Sequence, residues 1–415
     1  MTIFLVLMAL SLLFDVYAYN GLKTVSSGWK SALFRKFLLY GYLAVSLGLM
    51  LLFVTGIGSL FTAQGMRPYH EWVLSLFLAL LVTKLFFVLV LFLWDSGRFF
   101  YAVGHWLFGP RRAAGQAFMP ARRQFMVDTA LLIAAVPFGA FLYGMFKGKY
   151  DYRVHRETMH FDDLPEAFDG FTITQISDIH SGSFDNRAAV RRGIRLAQDQ
   201  KSDLFVFTGD LVNNVAWEIE PYLQDFSQLR APYGQFSILG NHDYGDYIKW
   251  DSLEAKDANL GKLKSHHQTL GYRLLMDEHV VIEKDGQKIV LLGVQNWGRG
   301  FIQLGDIDKA LEGVDPDAFK ILLSHDPTHW EEKIRYNPTK IQLTLAGHTH
   351  GAQFGVESDY LHLRWSPVQY RYLDWAGLAS EKDRYLYVNR GFGFLAFSGR
   401  IGIWPEITVI TLKRG

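Results

Sequence analysis

Four long apolar runs lie within the first 146 residues, and they constrain the fold more than any other feature of the chain. Each run is long enough to cross about 30 Å of hydrocarbon as a helix. A cleaved signal peptide is the alternative for the first run, but no basic segment precedes it and no clear small-residue cleavage site follows it. The sequence therefore predicts a membrane domain over residues 1–146, with helices at about 2–19, 37–61, 72–94 and 125–146.

The distribution of basic residues predicts how this domain is oriented. Cytoplasmic loops of membrane proteins carry an excess of Lys and Arg. Only Arg67 is basic between the second and third runs, whereas the first and third loops carry Lys23, Lys30, Arg35, Lys36, Arg98, Arg111, Arg112, Arg122 and Arg123. We therefore expect a multi-pass protein of the cytoplasmic (inner) membrane, with its C-terminal half on the outer or periplasmic side. Lys147, Lys149, Arg153 and Arg156, which follow the fourth run, argue against this orientation.

Lys84 lies inside the third apolar run, where a charge is costly and by default suggests a function. Asp15 and Asp128 lie towards the same predicted end of their own runs, within reach of a long lysine side chain. We interpret Lys84 as one partner of an ion pair between helices. A role in handling a substrate is the alternative.

The pattern changes after Tyr150, where apolar runs shorten to strand length and alternate with helical stretches. This alternation predicts an α/β domain with mixed strand pairing over residues 161–415, joined by a linker at 147–160. The predicted helices are 187–198, capped by Asp185 or Asn186, and also 217–229 and 252–270. A hairpin is predicted around residues 284–287, and closing strands at 385–388 and 407–412.

Five strand-like runs end in polar residues, at 171–176, 204–207, 235–239, 319–323 and 341–345. In α/β proteins the carboxyl ends of strands are where ligands bind. The polar side chains that follow these runs are Asp178, His180, Asp210, Asn241, His242, His325, His348 and His350. Carboxylate, amide oxygen and imidazole suit divalent cations, and this set is too large for one ion but suits two. Since the chain has no cysteine, thiolate chemistry is excluded.

The order and the residues of these motifs resemble those of the calcineurin-like metallophosphoesterase superfamily. The blocks Asp-x-His, Gly-Asp, Gly-Asn-His-Asp, a separate His and Gly-His-x-His follow one another from Asp178 to His350. The resemblance covers roughly residues 155–415, and phrases such as Leu322-Leu-Ser-His-Asp-Pro327 look like a bacterial membrane-associated branch. It implies two mixed β-sheets packed together and flanked by helices. Many members carry Glu after Gly-Asn-His, and Asp243 keeps the acid at that position.

The resemblance also implies a role for each site residue. Asp178, His180 and His350 would hold a first metal ion, Asn241, His325 and His348 a second, and Asp210 would bridge the two. The cofactors would be two divalent ions, with manganese, iron and zinc all chemically suitable. A hydroxide shared by the metals would attack phosphorus in line. His242 would act as general acid or electrostatic clamp, and Asp243 would either orient its imidazole or form a turn.

The predicted activity is that of a membrane-anchored phosphoric ester hydrolase, either a phosphatase or a phosphodiesterase. A substrate that is itself membrane-borne, such as a phospholipid or lipid-linked phosphate, fits the tethered site. The alternatives are a hydrolase of soluble nucleotides or phosphoproteins, and a non-catalytic membrane sensor that binds phosphate. The expected partners are the bilayer and the phosphoester, and a net charge of +1 gives no sign of nucleic-acid binding.

Two stretches are candidates for contacting the substrate. Residues 361–375 are rich in aromatic and basic side chains, among which Arg364 and Arg371 are candidate phosphate ligands. Residues 296–301 form the second candidate, and an ordinary packed loop is the alternative for both. His266 and His267 are predicted to be surface residues of the polar helix at 252–270.

Overall fold

A computed structural model describes residues 2–60, 68–108, 120–358, 360 and 362–415 of the 415-residue chain. The basic residues Arg67, Arg111 and Arg112 lie outside the described residues, as do the side chain of Arg122 and residue Leu361. The chain divides into two compact units. One comprises Met1–Gly58 and Trp72–Tyr143, and the other comprises Ser59–Glu71 and Gly144–Gly415.

The first unit is helical, and each predicted apolar run is a helix. The helices are α1 (Thr2–Val25), α2 (Ala32–Leu60), α3 (Pro68–Phe108) and α4 (Pro120–Phe146). All four are long and apolar enough to cross a membrane, which confirms the four-span prediction. They extend beyond the predicted limits because helical structure continues into the more polar flanks. Pro137 lies inside α4, as is tolerated in membrane helices.

The charge of Lys84 is compensated inside this helical unit. Its ammonium group lies 2.7 Å from the carboxylate of Asp15. It also donates hydrogen bonds to Ser46 at 2.6 Å and to Ser11 at 3.1 Å. Asp15 in turn accepts hydrogen bonds from Ser46 and Tyr42. The predicted pair of Lys84 and Asp15 is thus confirmed, while Asp128 accepts instead from its neighbour Gln124 on α4.

We predict that Asp15→Asn destabilises the helical unit by about 3 kcal/mol, because it leaves the buried Lys84 charge uncompensated. Exchanging the charges, in the double variant Lys84→Asp with Asp15→Lys, should recover most of this loss. Thermal unfolding of the full chain in detergent measures both effects. The matched control is Asp128→Asn, which should change the unfolding temperature little, and equal effects of Asp15→Asn and Asp128→Asn would contradict the pairing.

The second unit is an α/β sandwich of two six-stranded mixed sheets, which confirms the predicted fold class. Its strands are β1 (Arg153–Phe161), β2 (Thr172–Ile176), β3 (Leu204–Phe207), β4 (Gln235–Ser237), β5 (Arg273–Leu274), β6 (Glu278–Lys284), β7 (Gln287–Gly293), β8 (Lys320–Leu323), β9 (Leu343–Ala346), β10 (Val356–Ser358), β11 (Leu363–Trp365), β12 (Gly377–Glu381), β13 (Arg384–Val388) and β14 (Glu406–Arg414). One sheet has the order β1-β14-β2-β3-β4-β5 and the other β12-β13-β9-β8-β7-β6, while β10 and β11 form a separate hairpin.

Apolar side chains from both sheets form the central core. Residues such as Ile173, Val206, Leu291 and Ile321 are fully buried there. The outer face of the first sheet packs against helices, and so does that of the second. The helices are α5 (Arg187–Gln198), α6 (Leu223–Phe226), α7 (Leu253–Leu270), α8 (Ile307–Ala310) and α9 (Thr328–Glu332). Strands β2, β3 and β4 run parallel, as do β7, β8 and β9, so each group ends at one edge of its sheet.

Several local predictions hold and others fail for identifiable reasons. Helix α5 has the predicted limits, and Asn186 caps it by accepting from the backbone of Ala189 at 3.0 Å. The predicted helix at 217–229 is instead a 3₁₀ turn over Ala216–Tyr222 followed by the short α6, because Pro221 interrupts it. Residues 153–161, at the predicted linker, form β1 and pair with β14.

The prediction that His266 and His267 are surface residues is wrong. His267 is fully buried, and its ring nitrogen Nδ1 lies 2.9 Å from the hydroxyl oxygen of Ser237 on β4. His266 is also buried. The face of α7 that carries His266 and His267 packs against the sheet. The many polar residues of this helix gave no sequence signal for which of its faces is buried.

Candidate metal centre

The predicted site residues follow the carboxyl ends of five strands. Strands β2, β3 and β4 of the first sheet are followed by Asp178, Asp210 and Asn241, with their neighbours His180 and His242. Strands β8 and β9 of the second sheet are followed by His325, His348 and His350. Since the sheets pack face to face, their carboxyl ends bring these side chains together at one edge of the sandwich.

The structure forms two groups of possible metal ligands. In the first group, the ligand atoms of Asp178, His180 and His350 all lie within 4.8 Å of one another. Nε2 of His350 is 3.3 Å from Oδ1 of Asp178. All three residues are buried, so a dication between them would be shielded from solvent.

The second group contains Asp210, His325 and His348, again with ligand atoms within 4.8 Å of one another. Nε2 of His325 is 3.1 Å from Oδ2 of Asp210 and 3.3 Å from Nδ1 of His348. Asn241 joins this group, because its side-chain oxygen lies 2.8 Å from Nδ1 of His348. The amide nitrogen of Asn241 donates to the hydroxyl of Tyr247 at 2.7 Å, which leaves the oxygen facing the histidines.

Asp210 belongs to the second group and also faces the first. The same oxygen, Oδ2, is 3.1 Å from Nε2 of His325 in the second group and 3.5 Å from Nε2 of His180 in the first. Its other oxygen accepts the backbone N–H of His242 at 2.8 Å. Despite burial, the neighbouring His325 and His242 hold the pKa of the Asp210 carboxyl well below its usual range. A buried anion in this position suits a ligand shared by two cations.

The donor set fits divalent metal ions. Both ring nitrogens of His180, and Nε2 of His350, are buried and form no well-aligned hydrogen bond among the described residues, although carboxylate oxygens of Asp210 and Asp178 lie 3.5 and 3.3 Å from their Nε2 atoms. Buried polar atoms are nearly always hydrogen-bonded, so such nitrogens call for another partner. Burial lowers the pKa of His350 to about 4, so its imidazole is neutral and can act as a ligand. Despite burial, the Asp210 carboxylate raises the pKa of His180 and that of His325, the latter to about 10, so these two must lose a proton to bind a metal ion. Imidazole with carboxylate and amide oxygen is a donor set that manganese, iron and zinc accept.

Hydrogen bonds behind the ligands orient two of the imidazoles. Nδ1 of His325 lies 2.7 Å from the carbonyl oxygen of Thr208, which turns its Nε2 towards the centre. Nε2 of His348 lies 2.8 Å from the hydroxyl of Tyr372, which leaves its Nδ1 facing Asn241. Such contacts fix the ring orientation and tautomer of metal-binding histidines.

The backbone of the site is strained. Five of its residues adopt the left-handed conformation that disfavours ordinary side chains, with φ values of 52°, 46°, 61°, 73° and 51° for Asp178, His180, Asp210, His348 and His350. Each such residue costs about 1–3 kcal/mol and persists only where the surrounding structure imposes it. Gly347 allows β9 to approach β2 here, because a Cβ at this position would collide with the side chains of Ser177 and Asp178.

His242 and Asp243 have separate functions in the structure. Nδ1 of His242 lies 2.8 Å from the carbonyl oxygen of Asn213, so the predicted alternative in which Asp243 orients this imidazole is wrong. Asp243 instead accepts backbone N–H groups of Asp210, Leu211, Val212 and Gly240. It therefore holds the loops after β3 and β4 together, which is the turn-forming alternative.

Of the two candidate phosphate ligands in the stretch 361–375, one is engaged in the fold and the other is exposed. Arg364 stacks on the buried ring of Trp375 and pairs with Glu357 at 3.2 Å. Its guanidinium therefore stabilises the fold and is already occupied by protein contacts. Arg371 is exposed and stacks on Phe301, whose ring is 4.7 Å from that of His348, centroid to centroid. Arg371 and Phe301 thus lie beside the second ligand group, whereas Asn296 is buried and donates to the carbonyl of Ile302.

Sequence reasoning missed the residues that support the site from behind. Tyr247, Asn213 and Tyr372 were not identified as contacts of the candidate ligands. Asn213 and Tyr247 each lie a few residues beyond a recognised block, Gly209-Asp210 and Gly240-Asn-His-Asp243, and this proximity was the available signal. Tyr372 is distant in sequence from His348, and no sequence spacing indicates their contact.

Comparison with known proteins matches both halves of the chain. Residues 1–149 match a family described as "Probable Calcineurin-like phosphoesterase, transmembrane domain", and residues 171–352 match "Calcineurin-like phosphoesterase". Metallophosphoesterase YkuE of Bacillus subtilis is 28% identical over 71% of this chain and 98% of its own length. Phosphodiesterase YaeI of Escherichia coli is 26% identical over 71% of this chain and its whole length.

A zebrafish relative, from Danio rerio, resembles the chain in having both parts. This "Transmembrane protein with metallophosphoesterase domain" is 26% identical over 69% of the chain. The match covers 62% of the length of the zebrafish protein. The fold, the ligand groups and these matches define a metal-dependent phosphoester hydrolase in a multi-pass membrane protein. The chain belongs to the calcineurin-like metallophosphoesterases, and it carries the four-helix transmembrane domain found with some of them.

Proposed function

We propose that the protein is a membrane-anchored phosphohydrolase with a binuclear metal centre. The observation that carries this proposal is the position of Asp210, one oxygen of which faces a histidine of each ligand group. Asp178, His180 and His350 would hold one ion, and Asn241, His325 and His348 the other, with Asp210 shared. The chemistry that such a pair supplies is hydroxide at neutral pH and neutralisation of the phosphate charge.

The chain's own residues would perform the remaining steps. Arg371 lies exposed beside the second ligand group, where a guanidinium can bind a phosphate oxygen. His242 is the proposed general acid. Nδ1–H of His242 donates to the carbonyl of Asn213, so the proton for the leaving oxygen would come from Nε2 of the doubly protonated imidazolium, which returns to the neutral Nδ1–H form.

We predict that Asp210→Asn lowers metal-dependent turnover of an aryl phosphoester by about 100-fold or more, since even residues behind metal ligands change activity by about 10–100-fold. The bound metal should fall from two ions per chain, as measured by elemental analysis of protein purified in detergent with manganese. Asp225→Asn, which changes a buried acid of α6, is the matched control and should retain both ions. Full activity of Asp210→Asn would refute the shared ligand.

We further propose a membrane-borne substrate, a phospholipid or lipid-linked phosphate. In the β10–β11 hairpin, Val356 pairs with Trp365, and Leu363 lies on the same face by strand alternation. Val356 and Leu363 are exposed, as is Leu373 next to Tyr372. The hairpin adjoins the end of α4, because Gly355 donates to the carbonyl of Ile401, and Arg400 donates to that of Gly144. This supports an apolar surface on the catalytic unit that a lipid substrate can contact.

We predict that the double variant Leu363→Ser with Leu373→Ser lowers hydrolysis of phospholipids in vesicles by about tenfold or more, because each exposed leucine that becomes buried in lipid would contribute about 1.5–3 kcal/mol to binding. Hydrolysis of a soluble aryl phosphodiester should be unchanged. Leu253→Ser, at an exposed leucine of α7, is the control. Activity on soluble nucleotides without activity on lipid would instead favour the soluble substrate class.

We also propose that the catalytic unit occupies the outer or periplasmic side of the cytoplasmic membrane. Positive charge in the first and third loops supports this orientation. Two of the basic residues that argue against it form ion pairs in the catalytic unit, where Lys149 lies 2.6 Å from Asp185 and Arg153 lies 2.7 Å from Asp151. As domain limits we propose 1–146 for the membrane domain and, since β1 belongs to the first sheet, a catalytic domain that begins at Arg153 rather than at the predicted residue 161.

The absence of cysteine makes this orientation directly testable. We expect the single variant Asp285→Cys, at the exposed β6–β7 turn, to react with a membrane-impermeant maleimide in intact spheroplasts. The variant Ser27→Cys, in the loop after α1, should react only after the membrane is permeabilised. The reverse pattern would place the catalytic unit in the cytoplasm.

A further inference from the structure

A fully buried acid lies outside the blocks that define the site. Glu71 is in the first turn of α3, yet it belongs to the same compact unit as the catalytic residues. Its Oε1 accepts a hydrogen bond of 2.6 Å from the hydroxyl of Ser183, three residues after His180. A buried carboxylate is a strong acceptor, so this contact fixes both the position and the proton of the Ser183 hydroxyl.

The hydrogen bonds continue from Ser183 to the proposed general acid. The amide nitrogen of Asn213 donates to the Ser183 oxygen at 3.0 Å. The backbone carbonyl of Asn213 then lies 2.8 Å from Nδ1 of His242. Three successive hydrogen bonds therefore connect Glu71 with the imidazole of His242.

Asn213 is held from a second direction by another buried acid. Its backbone N–H donates to Oε2 of Glu218 at 2.5 Å. Gly182 permits this arrangement, because a Cβ there would collide with Glu218 and with the amide nitrogen of Asn213. With its backbone and side chain both bonded, Asn213 has little freedom to move, and the direction of its carbonyl is fixed. In hydrogen-bond networks of this kind, each member depends on the others.

We propose that Glu71 is a positioning residue for the reaction, acting through Ser183 and Asn213 to hold Nδ1–H of His242 on the Asn213 carbonyl, so that the imidazolium is oriented to give its Nε2 proton to the leaving group. This inference rests on the proposed function of His242 as general acid. The catalytic unit thus takes a residue for its proton-transfer step from the first turn of a membrane-spanning helix.

Dependence on the leaving group separates this role from a structural one. Protonation matters for a poor leaving group such as phenolate and little for 4-nitrophenolate. In full-length protein in detergent, we expect Glu71→Ala to lower kcat for a phenyl phosphodiester by about tenfold or more. The loss for the 4-nitrophenyl diester should be several-fold smaller, with KM and bound metal unchanged. Ser183→Ala should reproduce this pattern, and Glu71→Gln, which keeps an acceptor oxygen, should restore part of the lost kcat.

Controls distinguish failure of this inference from failure of the proposed function. Asp225→Asn also alters a buried acid of the catalytic unit, where it is bonded to Arg187 and Arg191, and should affect both esters equally. If His242→Ala is selective for the phenyl ester but Glu71→Ala is not, the inference about Glu71 is overturned. If His242→Ala shows no selectivity, the general-acid assignment itself fails. In a double variant, Glu71→Ala should add no further loss to His242→Ala, and an additive loss would also overturn the positioning role.

Discussion

The carboxylate of Asp210 is the centre on which the catalytic unit depends. It is buried, and a buried charge is tolerated only with close compensation. The backbone N–H of His242 provides part of that compensation, and Nε2 atoms of His180 and His325, one from each ligand group, lie 3.5 and 3.1 Å from the other oxygen. Because these partners come from different strands of both sheets, the charge of one carboxylate ties the two sheets together at their carboxyl edge. A pair of dications here would complete the compensation.

The strained backbone follows from the same demand. Each strand ends pointing along the sheet, whereas the ligands must turn towards a common centre between the two sheets. A left-handed residue changes the chain direction sharply within one position, and Asp178, Asp210 and His348 each stand at such a turn. The energy that this costs is recovered from a rigid core and from interactions such as those of Asp243, which accepts four backbone N–H groups. The ligands are therefore oriented by the backbone and the surrounding hydrogen bonds.

Much of this arrangement was predictable from the sequence, because the chemistry is concentrated in short blocks directly after strands. The four membrane helices, α5 with its Asn186 cap, the β6–β7 hairpin and the pair of Lys84 with Asp15 all follow from local patterns or single charges. The failures concern packing between distant segments. The burial of His267 depends on which face of α7 packs against β4. The contact of Tyr372 with His348 depends on how the stretch 361–375 packs against the loop after β9. Neither leaves a periodic signal in the sequence.

Two charged residues of the same helix, α3, show why a polar group in a membrane segment needs its partners examined before a function is assigned. Such residues suggest function by default. Lys84 directs its donors to Asp15, Ser46 and Ser11 within the helical unit, so its charge is compensated there and its role is structural. Glu71 bonds to Ser183, next to the candidate metal centre, and its network ends on a proposed catalytic group. The roles of Lys84 and Glu71 are therefore distinguished by the residue at which each hydrogen-bond network ends. The energetic cost of burying a charge does not distinguish them, because it applies to both residues.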